Sequence, residues 1–249
     1  MLINNPSLPE KDVKAVIVDS MAPAEIFNYF DRNNVEYIKT KSINNVIDAV
    51  STHPDMQICN VGNGCFVCEP TIYQYYKNRL ELYGVNLSKG STVLKSNYPE
   101  DIAYNVVITG SFMLHNLKHT DDVIREFAKK SDLSILDTKQ GYTKCATCII
   151  DNNAIITDDE GIYKTCIAFG IDCLLISKDV IALGDRNDGF FGGCCGMLGN
   201  SKLLFCGNIE RHKSYKEIKT FADKYNVELV SAFDGPLTDI GSIIPVIQE

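Results

Sequence analysis

Residues 185–196 read Asp-Arg-Asn-Asp-Gly-Phe-Phe-Gly-Gly-Cys-Cys-Gly and place carboxylates, a guanidinium and two thiols within a dozen positions. The glycines permit close backbone approach or a positive φ. Two readings fit this segment. It is either a binding or catalytic loop, with Cys194 or Cys195 as nucleophile and Asp185 and Asp188 holding a substrate, or a glycine-dense packing turn with inert cysteines. Cys145 is a further candidate, because the ammonium of neighbouring Lys144 would favour thiolate, the reactive form. His53, close to Asp55, offers an acid/base group, although a lone His before Pro also suits a solvated loop. Asp239 leads into the last apolar run and is either an inward-facing carboxylate or a turn residue.

Cys145-x-x-Cys148 and Cys65-x-x-Cys68 have the spacing of zinc knuckles and redox motifs. Both pairs fall in predicted strands, where positions three apart face opposite sides, and no His follows at finger spacing. They read as core cysteines, and no metal or cofactor is expected. His115, His119 and His212 fall after strands or on helix approaches and are expected on the outer surface, while Tyr73, Tyr75, Tyr76 and Tyr83 follow helical spacing and read as packing.

The elements that must position these groups form a recurring module. Within Tyr142–Asp159 the apolar run Cys145–Ile150, the turn Asp151–Asn153 and the apolar run Ala154–Thr157 predict a β-hairpin. Ahead of it, Val13–Asp19 predicts a strand, Ala24–Asn33 a helix opened by Pro23, Val35–Lys39 a strand and Asn44–Ser51 a helical turn or two. Met56–Cys68 is a hairpin about Gly62-Asn63-Gly64. The same order then returns. Unit two has the helix Thr71–Tyr83, the strand Val85–Ser88 and the hairpin Tyr104–His115. Unit three has the helix Asp121–Ser131 and the strand Leu133–Asp137, and leads into the hairpin above. Unit four has the helix Gly161–Phe169, the strand Ile171–Ser177 and the hairpin Gly193–Cys206, turning at Gly199-Asn200-Ser201. Unit five has the helix Ser214–Tyr225, the strand Val227–Phe233 and a last strand, Gly241–Ile247, one strand short of a hairpin.

The opening strand Val13–Asp19 is the matching orphan, so the two ends can complete one hairpin between them. Turn tips at 62, 109, 151 and 199 stand 47, 42 and 48 apart, and the strands after the helices recur every 48 residues on average, from 35 to 227 in four steps. A period of this size marks a repeat or propeller fold. The expectation is one α/β domain over residues 1–249, a five-bladed propeller of ββαβ units with pseudo-fivefold symmetry, closed by pairing of its N- and C-terminal strands, which removes free sheet edges. A doubly wound sheet is the alternative, but its units carry one strand per helix, not three.

The net charge of −8, from 24 basic and 32 acidic residues, argues against a duplex nucleic-acid binder and weakly favours a neutral or cationic ligand. No apolar stretch approaches the roughly 18 residues that span a bilayer, and residues 1–12 lack the basic and apolar regions of a signal peptide. With ten cysteines, several in apolar runs, a reduced cytoplasmic chain is expected.

Five ββαβ units closed in a ring resemble the pentein fold of guanidino-group-modifying enzymes. That superfamily includes arginine deiminases, dimethylarginine dimethylaminohydrolases and amidinotransferases, and a ribosome-binding translation initiation factor shares the fold without catalysis. Its enzymes use a thiolate to attack the guanidinium carbon, a His as acid/base and carboxylates to hold the cation. His53-Pro54-Asp55 resembles the Pro-Asp at the first hairpin of the dimethylarginine hydrolases, which implies a carboxylate role for Asp55. Where they carry a His-Leu-Lys stretch, this chain has Tyr142-Thr143-Lys144. Where they carry the nucleophilic Cys, it has Gly241-Ser242-Ile243-Ile244-Pro245. The resemblance thus implies a bacterial branch lacking the usual His and Cys.

Two functions follow as expectations. One is an enzyme acting on a small guanidino- or amide-type molecule in the central channel, with Cys194, Cys195, Cys145 and His53 as catalytic candidates and Asp55, Asn60, Lys144, Asp185, Asp188 and Asp239 as substrate contacts. The other is a non-catalytic binding protein on the same fold. Oligomeric state is not legible.

Overall fold

The computed structural model describes residues 1–199 and 201–249. The N-terminal half runs β1 (Val13–Val18), α1 (Ala24–Arg32), β2 (Glu36–Lys39), the short helix α2 (Pro54–Gln57), β3 (Ile58–Gly62), β4 (Cys65–Cys68), α3 (Tyr73–Leu80), β5 (Asn86–Lys89), β6 (Val107–Ile108), β7 (Phe112–His115), α4 (Asp122–Lys130) and β8 (Ser134–Asp137). Then follow β9 (Thr147–Asp151), β10 (Ala154–Thr157), α5 (Glu160–Ala168), β11 (Asp172–Leu175), β12 (Cys195–Gly199), β13 (Lys202–Phe205), α6 (Tyr215–Lys224), β14 (Glu228–Ser231) and β15 (Ile244–Gln248).

The strands form five three-stranded sheets, each an antiparallel pair with a third strand added in parallel after a helix. Four are local in sequence, and the fifth runs β15-β1-β2, joining the two ends of the chain. Ile17 pairs with Ile244 and Val16 with Pro245, and Leu2 adds a bridge to Ile247. The expected five-bladed ring and its seam are therefore the observed architecture. The sheets stay separate and do not close into a barrel.

One local device repeats in all five units. Each long helix buries a pair four residues apart, Ile26/Phe30, Tyr76/Leu80, Ile124/Ala128, Ile162/Cys166 and Ile218/Ala222, the spacing that keeps two side chains on one face. A left-handed residue then ends each helical segment: Asn34, Gly84, Asp132, Gly170 and Asn226, all with φ between 54° and 75°. The apolar residue after it (Val35, Val85, Leu133, Ile171, Val227) sends its N–H back to the carbonyl of the second buried residue. This is the Schellman closure. It aims the chain into the outer strand and buries one more apolar side chain in four units, Leu133 being half-buried, at about 1.5–3 kcal/mol for each large one fully removed from water.

Three local expectations are corrected. Residues 44–51 form only a single 3₁₀ turn, at Asp48–Val50. The first hairpin begins at Ile58, because Pro54–Gln57, with Pro at the first helical position, winds into α2. The third begins at Thr147, leaving Cys145 in the turn before β9. Asn200 of the expected fourth turn lies outside the described residues. All ten cysteines are free thiols, and among the described residues no helix is long and apolar enough to cross a membrane.

Candidate functional site

Three segments that lead into the first strands of three different sheets converge on one cavity. His53 and Asp55 stand at the start of α2, Cys145 in the turn before β9, and Asp239 with Ser242 in the approach to β15. The cavity, about 250 Å³, has His53, Cys145 and Asp239 at its floor; Ile47, Val50, Leu183 and Phe190 wall it, and Tyr142, Arg186 and Asp188 stand nearer its mouth.

Glycines allow the convergence. A Cβ on Gly241 would meet the His53 Cβ at 2.3 Å, and one on Gly193 would meet Asp239 Oδ1 at 1.9 Å. Gly193 also ties the segments together: its N–H donates to the Cys145 carbonyl at 2.7 Å, and its carbonyl accepts from Ser242 N at 2.8 Å. Ser242 itself sits at φ 69°, a left-handed conformation costly for a non-glycine residue.

The side chains form a buried polar cluster. Asp55 Oδ2 accepts from Ser242 Oγ at 2.9 Å and from the Cys145 thiol at 3.1 Å, while Lys144 Nζ donates to Ser242 Oγ at 2.9 Å. Asn105 is the organiser that sequence reading missed. Its carbonyl oxygen accepts from Lys144 N at 2.7 Å and Cys145 N at 3.2 Å, and its amide donates to Cys145 Sγ at 3.0 Å. Asp239 accepts from Phe190 N at 2.8 Å and Gly241 N at 2.9 Å. The His53 ring spans two carboxylates, Nδ1 lying 3.8 Å from Asp239 Oδ1 and Nε2 3.7 Å from Asp19 Oδ2. Among the described residues, Nδ1 and Asp55 Oδ1 are buried without a hydrogen-bond partner.

Burial pushes the Cys145 thiol well above its usual range, with the Asp55 and Asp239 carboxylates adding to the effect. In this state the group is a thiol. Burial likewise raises Asp239, opposed by His53 and reinforced by Asp55.

The other expected residues are placed differently. Cys194 and Cys195 are packed in the core, their thiols directed to the Phe190 and Gly192 carbonyls, and neither lines the cavity. Asn60 is buried in β3 with its side-chain oxygen accepting from Gly62 N at 2.9 Å. Asp185 is exposed on the loop, and Asp188 pairs with Arg186. Cys148 lies in the core and does not line the cavity. His115 and His212 are buried, not superficial: the His115 ring is held by Thr120 Oγ1 at 2.7 Å and the Gly141 carbonyl at 2.9 Å.

Five three-stranded ββαβ sheets in a ring place this chain in the pentein fold class. Solved structures agree. The amidinotransferase SxtG of Microseira wollei aligns with a TM-score of 0.54 and 11% identity, covering 100% of this chain and 97% of its own. An agmatine deiminase of C. jejuni aligns at 0.55 and 13%, covering 92% and 90%. A DDAH from Pseudomonas aeruginosa complexed with citrulline aligns at 0.54 and 10%, covering 89% and 93%. At such identities the likeness establishes the fold. The chain belongs to a family of unknown function, DUF6873, which it matches over residues 17–244. No curated protein matches its sequence.

Proposed function

We propose that the chain binds a small guanidino- or amide-type molecule in the cavity above His53, Cys145 and Asp239, and hydrolyses it. The observation that carries this reading is the surplus of buried carboxylate at and behind the floor, where Asp239 lines the cavity while Asp55 and Asp19 stand behind Cys145 and His53. Asp19, Asp55 and Asp239 are all buried, against one imidazole and the half-buried Lys144. Buried charges need partners, and a planar guanidinium, with donors arranged in a fork, suits carboxylates and apolar walls together. The fold-level relatives add support, since they include a deiminase of agmatine and a DDAH holding the ureido compound citrulline.

With the cation seated, the Cys145 proton passes to Asp55 Oδ2, 3.1 Å away. The sulfur bonds to the guanidino carbon, and the departing amine takes a proton from the imidazolium of His53 as its C–N bond breaks. Water then attacks the same carbon, giving its proton to His53. The C–S bond breaks, the thiolate recovers its proton from Asp55, and the ureido product sheds its remaining hydroxyl proton to solvent, where the released amine takes it up. Binding without turnover is the second reading, favoured by the thiol being buried and protonated before any ligand arrives. The ten free thiols support a reducing, cytoplasmic setting.

The test is a thermal-shift series on the chelator-treated chain with arginine, agmatine, citrulline and related compounds. A true ligand at a hundredfold excess over its Kd adds about 2.7 kcal/mol of stability, and Asp239→Asn removes the effect. Release of ammonia or amine that disappears in Cys145→Ser, with the shift retained, marks the enzyme. A shift without product marks the binder. Absence of any shift across the series overturns both.

A further inference from the structure

His53, Cys145 and Asp239 belong to three different units, yet a ligand atom from each lies within 4.8 Å of the others, and all three residues are buried. His53 Nδ1 is the decisive atom. It is buried, has no hydrogen-bond partner among the described residues, and stands 3.8 Å from Asp239 Oδ1. That gap is too long for a hydrogen bond. It is close to the ~3.4 Å that separates two nitrogen or oxygen ligands on one tetrahedral ion with bonds of about 2.0–2.1 Å.

The surroundings fit the same geometry. His53 Nε2 faces Asp19 Oδ2 at 3.7 Å, longer than a hydrogen bond but on the side where an outer carboxylate would steady a metal-bound imidazole. The Asn105 amide donates to Cys145 Sγ at 3.0 Å, a contact that suits a thiolate ligand. Asp239 is held by two backbone N–H groups. We infer that His53, Cys145 and Asp239 form a binding site for a divalent transition ion, with zinc the best match to a mixed nitrogen, sulfur and oxygen set.

The cavity opens on all three residues, so a fourth position is left for water or a small ligand, as in catalytic and not structural zinc sites. When the ion binds, the Cys145 S–H bond breaks, a sulfur–metal bond forms and the proton moves to Asp55 Oδ2, the acceptor at 3.1 Å. The ion takes the sulfur that thiol chemistry on a guanidino carbon requires. The metal-loaded and guanidino-attacking states therefore exclude each other; this consequence alone rests on the proposed function.

The test strips the full chain with a chelator, removes the chelator and titrates with Co²⁺. One equivalent is expected to produce a sulfur-to-cobalt charge-transfer band with four-coordinate visible absorption, reversed by Zn²⁺. Cys145→Ser loses the sulfur band, and His53→Ala and Asp239→Ala weaken binding by at least about tenfold, the scale known even for outer-shell losses. Cys194→Ala keeps both band and affinity. A second arm needs no variant: Zn²⁺ should slow haloacetamide alkylation of Cys145 in the unmodified chain, read by peptide mass mapping. No saturable sulfur band, a band that survives Cys145→Ser, or alkylation of Cys145 indifferent to zinc overturns the site. A guanidino thermal shift in chelated protein without a cobalt site sinks this inference and leaves the proposed function standing. A cobalt site with no guanidino shift does the reverse.

Discussion

Cys145 Sγ stands 3.1 Å from Asp55 Oδ2 across 90 residues of sequence. The thiol donates, and the same oxygen takes a second hydrogen bond from Ser242, whose hydroxyl in turn accepts from Lys144. Units one, three and five thus meet in a single chain of hydrogen bonds, and removing any link strands a buried polar group.

Ser242 is the central link. Ser242→Ala leaves the buried Asp55 short of a donor and the half-buried Lys144 Nζ without this acceptor. The expected cost is about 1–3 kcal/mol, the price of an unsatisfied buried group, read by urea denaturation with unchanged circular dichroism. A loss within error of zero would show that water replaces the hydroxyl.

Gly193 separates packing from chemistry. A Cβ there falls 1.9 Å from Asp239 Oδ1, so Gly193→Ala must push the carboxylate off its position. Ligand or cobalt binding is expected to weaken by at least about tenfold, equivalent to about 1.4 kcal/mol. Cys194→Ala, one residue on but facing the core, should lose stability and keep affinity. Titrations of both variants decide it.

His115 gives the fold a pH dependence of known sign. Burial lowers its pKa to about 4, against the opposing hydrogen bond to the Gly141 carbonyl, with His119 also lowering it and Asp137 raising it. The unfolded chain, with an ordinary imidazole near 6.5, binds the extra proton first. This contribution is therefore complete above about pH 6.5, falls away as the pH drops, and is exhausted below about pH 4. At about 1.4 kcal/mol per unit the loss amounts to a few kcal/mol. His115→Gln should flatten this part of the stability–pH curve measured by denaturant titration; an unchanged slope refutes the assignment.

The seam should be as sensitive as any interior strand pair. Ile17 is fully buried and pairs with Ile244, so Ile17→Ala is expected to cost about 2–5 kcal/mol. Val180→Ala, at a residue 69% exposed, should stay within about 0.5 kcal/mol. Equal effects in thermal melts would mean that the terminal strands contribute little.

The ring was readable because its signals are local and repeated. Asn34, Gly84 and Gly170 announce helix ends, and the apolar residue after each starts an outer strand. The site was only partly readable, because it exists by convergence. His53, Cys145 and Asp239 are visible singly, but nothing in sequence says that they share a cavity floor. The thiols of Cys194 and Cys195 drew attention through their glycine-rich setting, whereas those glycines serve close approach to Thr147 and Asp239. Asn105 had one available signal, a strongly polar residue between Tyr104 and Val106 in an apolar stretch, where an amide must find partners.

Asp239 and Ser242 lie on the segment that runs into β15, and β15 is held to the first sheet by β1. Peeling that strand away would withdraw both residues from His53, Asp55 and Cys145. An occupant of the cavity therefore works as a clasp on the circle, and the backbone N–H groups of residues 13–18, 244 and 246–248 are where its grip should first appear as slowed hydrogen exchange.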